Sequence, residues 1–267
     1  LIPKNKIFLV RYVQDLDMGV KIGASGVVLH FGTASNGLTR EEAIDNMAKS
    51  LVSCLDHADK SSRPILETSS GEGNYIGRTI EGMKKVYSKL PKKYQKRVMF
   101  CIDTCHIFVA GYPIHKEGGW ESYVRLFEGE IGRGKIGVIH LNDSKVPFDG
   151  KVDMHEEIGD GYIFSRGLGG SRGALKEILE WADRNSVPCI LETHRDFKEQ
   201  IRMCRSLVGK KGGSLVGKKG ETMVGAFREL MNFHKALGNI HQFQVYKNVV
   251  NKLSQMGEVR AVEELEG

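Results

Sequence analysis

Histidines and carboxylates stand at the ends of apolar runs along this 267-residue chain. His30 closes GVVLH, Glu67 closes PILE, Asp103 closes RVMFCID with His106 three residues on, His140 lies in KIGVIHLND, and Glu192 closes PCILE. Asp153 and His155 are two residues apart and share a side if that segment is extended. Imidazole and carboxylate in one set suit zinc or manganese, whereas all-oxygen sets suit magnesium or calcium. Eight such residues exceed one tetrahedral site, so two or three ions are expected. One such residue alone would more often be structural; eight at comparable positions call for a common cause.

The elements that must carry them alternate. GVVLH (26–30), PILE (64–67), RVMFCID (97–103), KIGVIHLND (135–143) and PCILE (188–192) are short, continuous apolar runs, the pattern of strands buried on both faces of a parallel sheet. Between them, 39–58, 76–90, 120–132 and 172–185 have helical spacing, and Thr39 with Glu42 forms a capping box. Strand and helix in alternation predict an α/β fold, and in a closed (β/α)8 barrel the functional residues collect at the C-terminal mouth. One mouth then explains why ligand-type residues end the strands.

Composition bounds the rest. A hydrophobic fraction of 40% is ordinary for a globular protein, and no apolar run approaches the roughly 20 residues that span a bilayer. With no visible signal peptide, an intracellular protein, of cytoplasm or nucleus, is expected. The five cysteines, 54, 101, 105, 189 and 204, form no CxxC and read as reduced, mostly core thiols. Of the net charge of +6, residues 201–267 supply +5, with 11 Lys+Arg against 6 Asp+Glu, which suits a polyanion partner or a solvated surface.

VVLHFGTAS, ILETSSGEGNYIG, CIDTCHIFVAGY, HLNDSKVPFDGKVDMHEEIGDGYI and ILET, all within about residues 8–200, resemble the endonuclease IV family of apurinic/apyrimidinic endonucleases. The resemblance implies a TIM-type barrel with three zinc ions. By position, His30 and Glu67 match ligands of the first. Glu67 matches the bridge to the second, which Asp103, His140 and Glu192 complete. His106, Asp153 and His155 match the third. The implied reaction is hydrolysis of DNA 5′ to an abasic site, with zinc acidifying the attacking water and Glu192 orienting or deprotonating it. Ser144 and Lys145 follow His140 closely and are candidates to touch a phosphate, with a plain surface lysine the equal alternative for Lys145. His57, His115 and His194 are read as structural. Phe31, Thr68, Glu72 and Met154 depart from the family pattern, Met154 standing where an Arg would contact DNA.

The family's first zinc takes a further histidine upstream of the position of Leu1. The resemblance therefore implies a chain without its first two β/α units that cuts abasic DNA poorly. Two other readings stay open: a sugar-isomerase-like barrel, which shares metal sites of this type, and an inactive DNA-binding remnant.

Three regions are expected: a barrel over 1–200, a linker over 201–221 and a helical extension over 222–267. The linker holds the tandem SLVGKKGG/SLVGKKGE, Gly-rich and basic. The extension has two helical patterns and faintly resembles the start of the lyase-like domain of the DNA polymerase X family, most nearly in VYKNVVNKLSQ. Protein partners and oligomeric state are not legible.

Overall fold

The computed structural model describes residues 4–35, 37–193, 195 and 197–208. The expected extension, most of the linker and His194 lie outside them. The chain divides into two units, Leu1–Leu16 with Gly26–Gly213, and Asp17–Ser25 with Ser214–Gly267. All the ligand-type residues belong to the first.

In chain order the elements are α1 (Lys4–Lys21), β1 (Val27–His30), α2 (Arg40–His57), β2 (Pro64–Glu67), a 3-10 turn (Ile76–Arg78), α3 (Ile80–Ser88), α4 (Lys92–Gln95) and β3 (Met99–Asp103). There follow α5 (Thr104–Val109), α6 (Gly119–Glu130), β4 (Ile136–His140), β5 (Asp143–Ser144), β6 (His155–Glu156), a second 3-10 turn (Arg166–Leu168), α7 (Arg172–Asn185), β7 (Cys189–Ile190) and α8 (Phe197–Val208). The sheet runs β1-β2-β3-β4-β7, parallel throughout and in sequential order. That order is the winding of a TIM-type barrel; a doubly wound sheet would reverse direction at a switch point. No helix among the described residues is long and apolar enough to cross a membrane.

The two faces of the sheet do different work. Leu66, Phe100, Ile102 and Ile139 join the large core made with the helices. Phe100, fully buried, meets Tyr87 and Phe127 edge-on at centroid distances of 5.6 and 5.3 Å. Loss of such a ring to alanine costs about 3–5 kcal/mol. The opposite face carries a small apolar layer of Ile65, Cys101 and Val138, with Val28 and Met99 against it. Two residues beyond Val28, Ile65, Cys101 and Val138 stand His30, Glu67, Asp103 and His140. The period-2 alternation of a strand therefore continues from the apolar layer into the ligand-type residues. Register aligns them: His30 pairs with Glu67, and Asp103 with His140.

The helices form for local reasons. The capping box on α2 is present, with Glu42 N–H on the Thr39 hydroxyl and Glu42 reaching back to Thr39 N–H. Its buried face is Ala43, Ile44, Ala48, Leu51, Cys54 and Leu55. Tyr12 and Leu16 of α1 pack on Cys54 and Ala58. On α7, Ala174, Leu175, Ile178, Leu179 and Ala182 are buried.

Three sequence expectations change. The helix expected over 76–90 begins at Ile80, because Thr79 is extended and its hydroxyl caps Gly82 N–H. The strand expected over 188–192 pairs only at Cys189 and Ile190. Residues 201–208, assigned to the linker, continue α8, whose Met203, Cys204, Leu207 and Val208 pack against the large core.

Candidate metal centre

Glu67, Asp103, His140 and Glu192 offer ligand atoms that all lie within 4.8 Å of one another. Three of the four end adjacent strands; Glu192 lies two residues beyond the last pair of β7. His140 Nδ1 faces both Glu67 Oε1 at 2.9 Å and Glu192 Oε2 at 3.1 Å. Burial opposes a charge on His140, but Cys101, Glu192 and Glu67 hold its pKa well above the ordinary imidazole value. Contact with His140 holds the Glu192 carboxyl down at about 2, so it is ionised at neutral pH.

A second group shares Asp103 and adds His106 and His155 within the same span. His106 is fixed twice. Its backbone N–H donates to Asp103 Oδ1, the N-cap of α5, and Nδ1 donates to the Thr68 carbonyl at 2.7 Å. That leaves Nε2 facing Asp153 Oδ2 at 2.9 Å. Asp153 Oδ1 lies 3.1 Å from His155 Nε2, and Asp103 Oδ2 lies 3.6 Å from it. Burial works against the proton on His106, yet the Asp103, Asp153 and Glu67 carboxylates hold its pKa up at about 10. The two imidazoles likewise hold Asp153 well below the usual carboxylate range, against burial.

The set fits divalent cations. Four carboxylates converge, and every ion pair they make among the described residues is with a histidine. His155 Nε2 is buried without a hydrogen bond, although carboxylate oxygens surround it. Closely spaced carboxylates, two of them nearly solvent-free, are costly without such compensation. Nitrogen and oxygen donors together suit zinc.

The other expected residues fall variously. His30, on edge strand β1, has a side chain 63% exposed and meets Glu67 Oε2 at 3.4 Å; it joins none of the converging groups. Ser144 is fully buried and its hydroxyl is engaged with Val146, so it is not open to a phosphate; Lys145 is exposed. Phe31 is buried and fills the space beside Gly77, while Met154 is 48% exposed. His57 bonds Ser53 within α2, and His115 lies against Phe108 and Phe148, its pKa lowered by burial. The five cysteines are free.

Sequence reasoning passed over the supports. Asn142, fully buried, donates through Nδ2 to Asp103 Oδ2 at 2.7 Å and to Glu192 Oε2 at 3.2 Å, and accepts from Glu192 N–H. Thr68 supplies the carbonyl for His106 and a hydroxyl that accepts from Asp103 N–H. Asp143 accepts four backbone N–H groups, from Ser144, Gly159, Gly161 and Ile163. Burial pushes its pKa up to about 6 against the pull of those donors. Asn142 and Asp143 sit in HLNDSK, so the motif itself was the available signal.

Comparison with known proteins bears on the fold and the family. The profile of the xylose isomerase-like TIM barrel family matches residues 6–168. The chain is 35% identical over 201 residues to a putative endonuclease 4 of Acanthamoeba polyphaga mimivirus, covering 73% of this chain and 62% of that one. It is 35% identical over 213 residues to a probable endonuclease 4 of Acholeplasma laidlawii, covering 77% and 68%. The crystal structure of endonuclease IV from Thermus thermophilus superposes with a TM-score of 0.60 at 22% identity, over 75% of this chain and 67% of that one. The chain thus spans less than two thirds of the length of the mimivirus relative.

Proposed function

The chain belongs to the endonuclease IV family of xylose isomerase-like TIM barrels, and on that premise we propose that it is a zinc-dependent DNA-repair endonuclease that hydrolyses the phosphodiester 5′ to an abasic site. The observation that carries this reading is the convergence of Glu67, Asp103, His140 and Glu192, with His106 and His155 beside the shared Asp103. Glu67 with His30 would contribute to a first zinc, Glu67, Asp103, His140 and Glu192 would hold a second, and His106, Asp153 and His155 a third; manganese would suit the same donors. Such ions, when bound, supply Lewis-acid polarisation of a phosphate and a water acidified to near neutral pH.

The chain's own residues divide the remaining tasks. Glu192 is ionised, its side chain is 40% exposed, and Asn142 aims it towards Asp103. It is therefore the carboxylate best placed to orient a water or take its proton. Glu67 is 3% exposed and faces His30, His106 and His140 at once, which makes it a fixed acceptor at the centre. Asp153, 40% exposed, and Lys145 stand at the rim where a strand of DNA would lie.

The test is cleavage of a duplex carrying one tetrahydrofuran abasic analogue, in added zinc. Glu192→Gln should lower the rate by roughly 100- to 10,000-fold, the usual worth of a positioned general base, while leaving bound zinc detectable. Absence of any cutting by the unmodified chain with zinc bound would refute the assignment.

A further inference from the structure

Among the ligand residues that a strand carries or leads into, Glu192 and His155 have the least sheet behind them. The strand before Glu192 pairs over two residues only, and β6, which opens with His155, is itself two residues long. Ladder hydrogen bonds therefore do little to fix one against the other.

A buried polar cluster joins the two segments. Gln200, on α8, is 4% exposed and both ends of its amide are used. Its Oε1 accepts from Ile158 N–H at 3.0 Å, and its Nε2 donates to the Glu157 carboxylate and to the Arg195 carbonyl. Glu157, 9% exposed, accepts from Arg195 N–H at 3.0 Å, with the Arg195 guanidinium 3.8 Å away. Glu157 follows His155 by two residues, and Arg195 follows Glu192 by three. Gln200 and Glu157 thus tie the segment after His155 to the segment after Glu192, and both to α8.

We propose that Glu157 and Gln200 are positioning residues that hold Glu192 and His155 in one fixed relation; this rests on the metal-dependent reading above. A purely architectural role fits less well. The Glu157 loop already has a strong anchor in Asp143, whose carboxylate takes the N–H groups of Gly159, Gly161 and Ile163. What the Gln200 amide adds is a cross-link between two ligand-bearing segments, and a buried amide–carboxylate contact is a costly way to fill space that apolar side chains could fill. Asn142 holds Glu192 itself, and the Gln200 cluster holds the backbone three residues on, at Arg195.

The experiment compares the full chain with Gln200→Met, Glu157→Gln and the exchange pair Glu157→Gln with Gln200→Glu. Four quantities are read: thermal midpoint, hydrogen exchange at Ile158 and Arg195, zinc release to a chromogenic chelator, and kcat against KM on the abasic duplex. The expected result for Gln200→Met is faster exchange at both amides, faster zinc release and a kcat lowered by about 10- to 100-fold, the scale set by ~1 Å misplacement. KM should change little, the thermal midpoint should fall while the chain stays folded at the assay temperature, and the exchange pair, which restores the contact between 157 and 200 but not the donor to the Arg195 carbonyl, should recover part of kcat. Should Gln200→Met fail to fold, Glu157→Gln, which keeps the packing, carries the same expectations. Unchanged exchange and zinc release in folded variants would overturn the proposal, as would a loss of kcat that merely follows the folded fraction. An unmodified chain that holds no zinc and cuts nothing would instead overturn the functional reading on which it rests.

Discussion

The two ligand groups share Asp103 but are built by different means. Glu67, Asp103 and His140 hang on adjacent parallel strands, so sheet register sets their spacing and the helix-covered core behind Leu66 and Phe100 keeps that register. His106, Asp153 and His155 ride on a six-residue helix and a hairpin paired at two positions. Their aim comes from individual hydrogen bonds: the Asp103 cap, the Thr68 carbonyl, and the Asp143 and Gln200 anchors around the hairpin. The first group should therefore behave as part of the fold and the second as an attachment that can be removed with the fold intact.

The largest test of that contrast is Asp103→Ala. It removes a ligand of the second ion and the N-cap that orients His106, so the second ion should be lost, the third held more weakly, and cutting of the abasic duplex should fall by on the order of 1,000-fold. Zinc content by elemental analysis checks it; retention of two tightly held ions would break the idea of a shared carboxylate. Next comes Asp153→Ala with His155→Ala, which should release one zinc per chain and spare the strand-borne group. Zinc content equal to that of the unaltered chain would remove these two residues from the ligand set.

A smaller effect concerns pH in the metal-free protein. The folded pKa of His106 is raised to about 10 from an ordinary 6.5. Its contribution to stability is then fully present below about 6.5 and lost as pH rises through about 10. With chelator present, the thermal midpoint should decline over that window, and His106→Asn should flatten the decline. A midpoint that does not fall with pH there would mean that folding does not raise the proton affinity of His106. The smallest effect is expected away from both groups. Thr39→Ala removes the α2 capping box and should cost about 1 kcal/mol by denaturant titration, with zinc content unaltered; a change in zinc would show that even the strand-borne group depends on a distant helix end.

Much of this arrangement was legible because its causes are local. Thr39 and Glu42 are three residues apart and cap α2 by themselves. The apolar runs ending in Glu67, Asp103 and His140 needed only strand periodicity and a parallel sheet to bring them together. Other features depend on distant partners. Periodicity continues through Ile76, Ile80, Met83 and Val86, so the break at Thr79 leaves no mark in the pattern; it accompanies the packing of Gly77 on Phe31. Strands β5 and β6 are too short to show alternation. Gln200 reads as an ordinary helix-surface residue until loops from 157–158 and 195 close over it, and the α8 pattern runs into a Gly-rich repeat that suggested a linker.

Cys101 and Cys105 stand on either side of Asp103, both closed to solvent. Burial raises the pKa of both thiols, that of Cys101 to about 12. Alkylating reagents attack the thiolate and need access to it, so at neutral pH both sulfurs stay silent while the junction of β3 and α5 is shut. Each adduct then records one opening of that junction. A cysteine-tagging time course read by peptide mass would turn this pair into an internal clock for the breathing of the metal centre, with no label introduced by design.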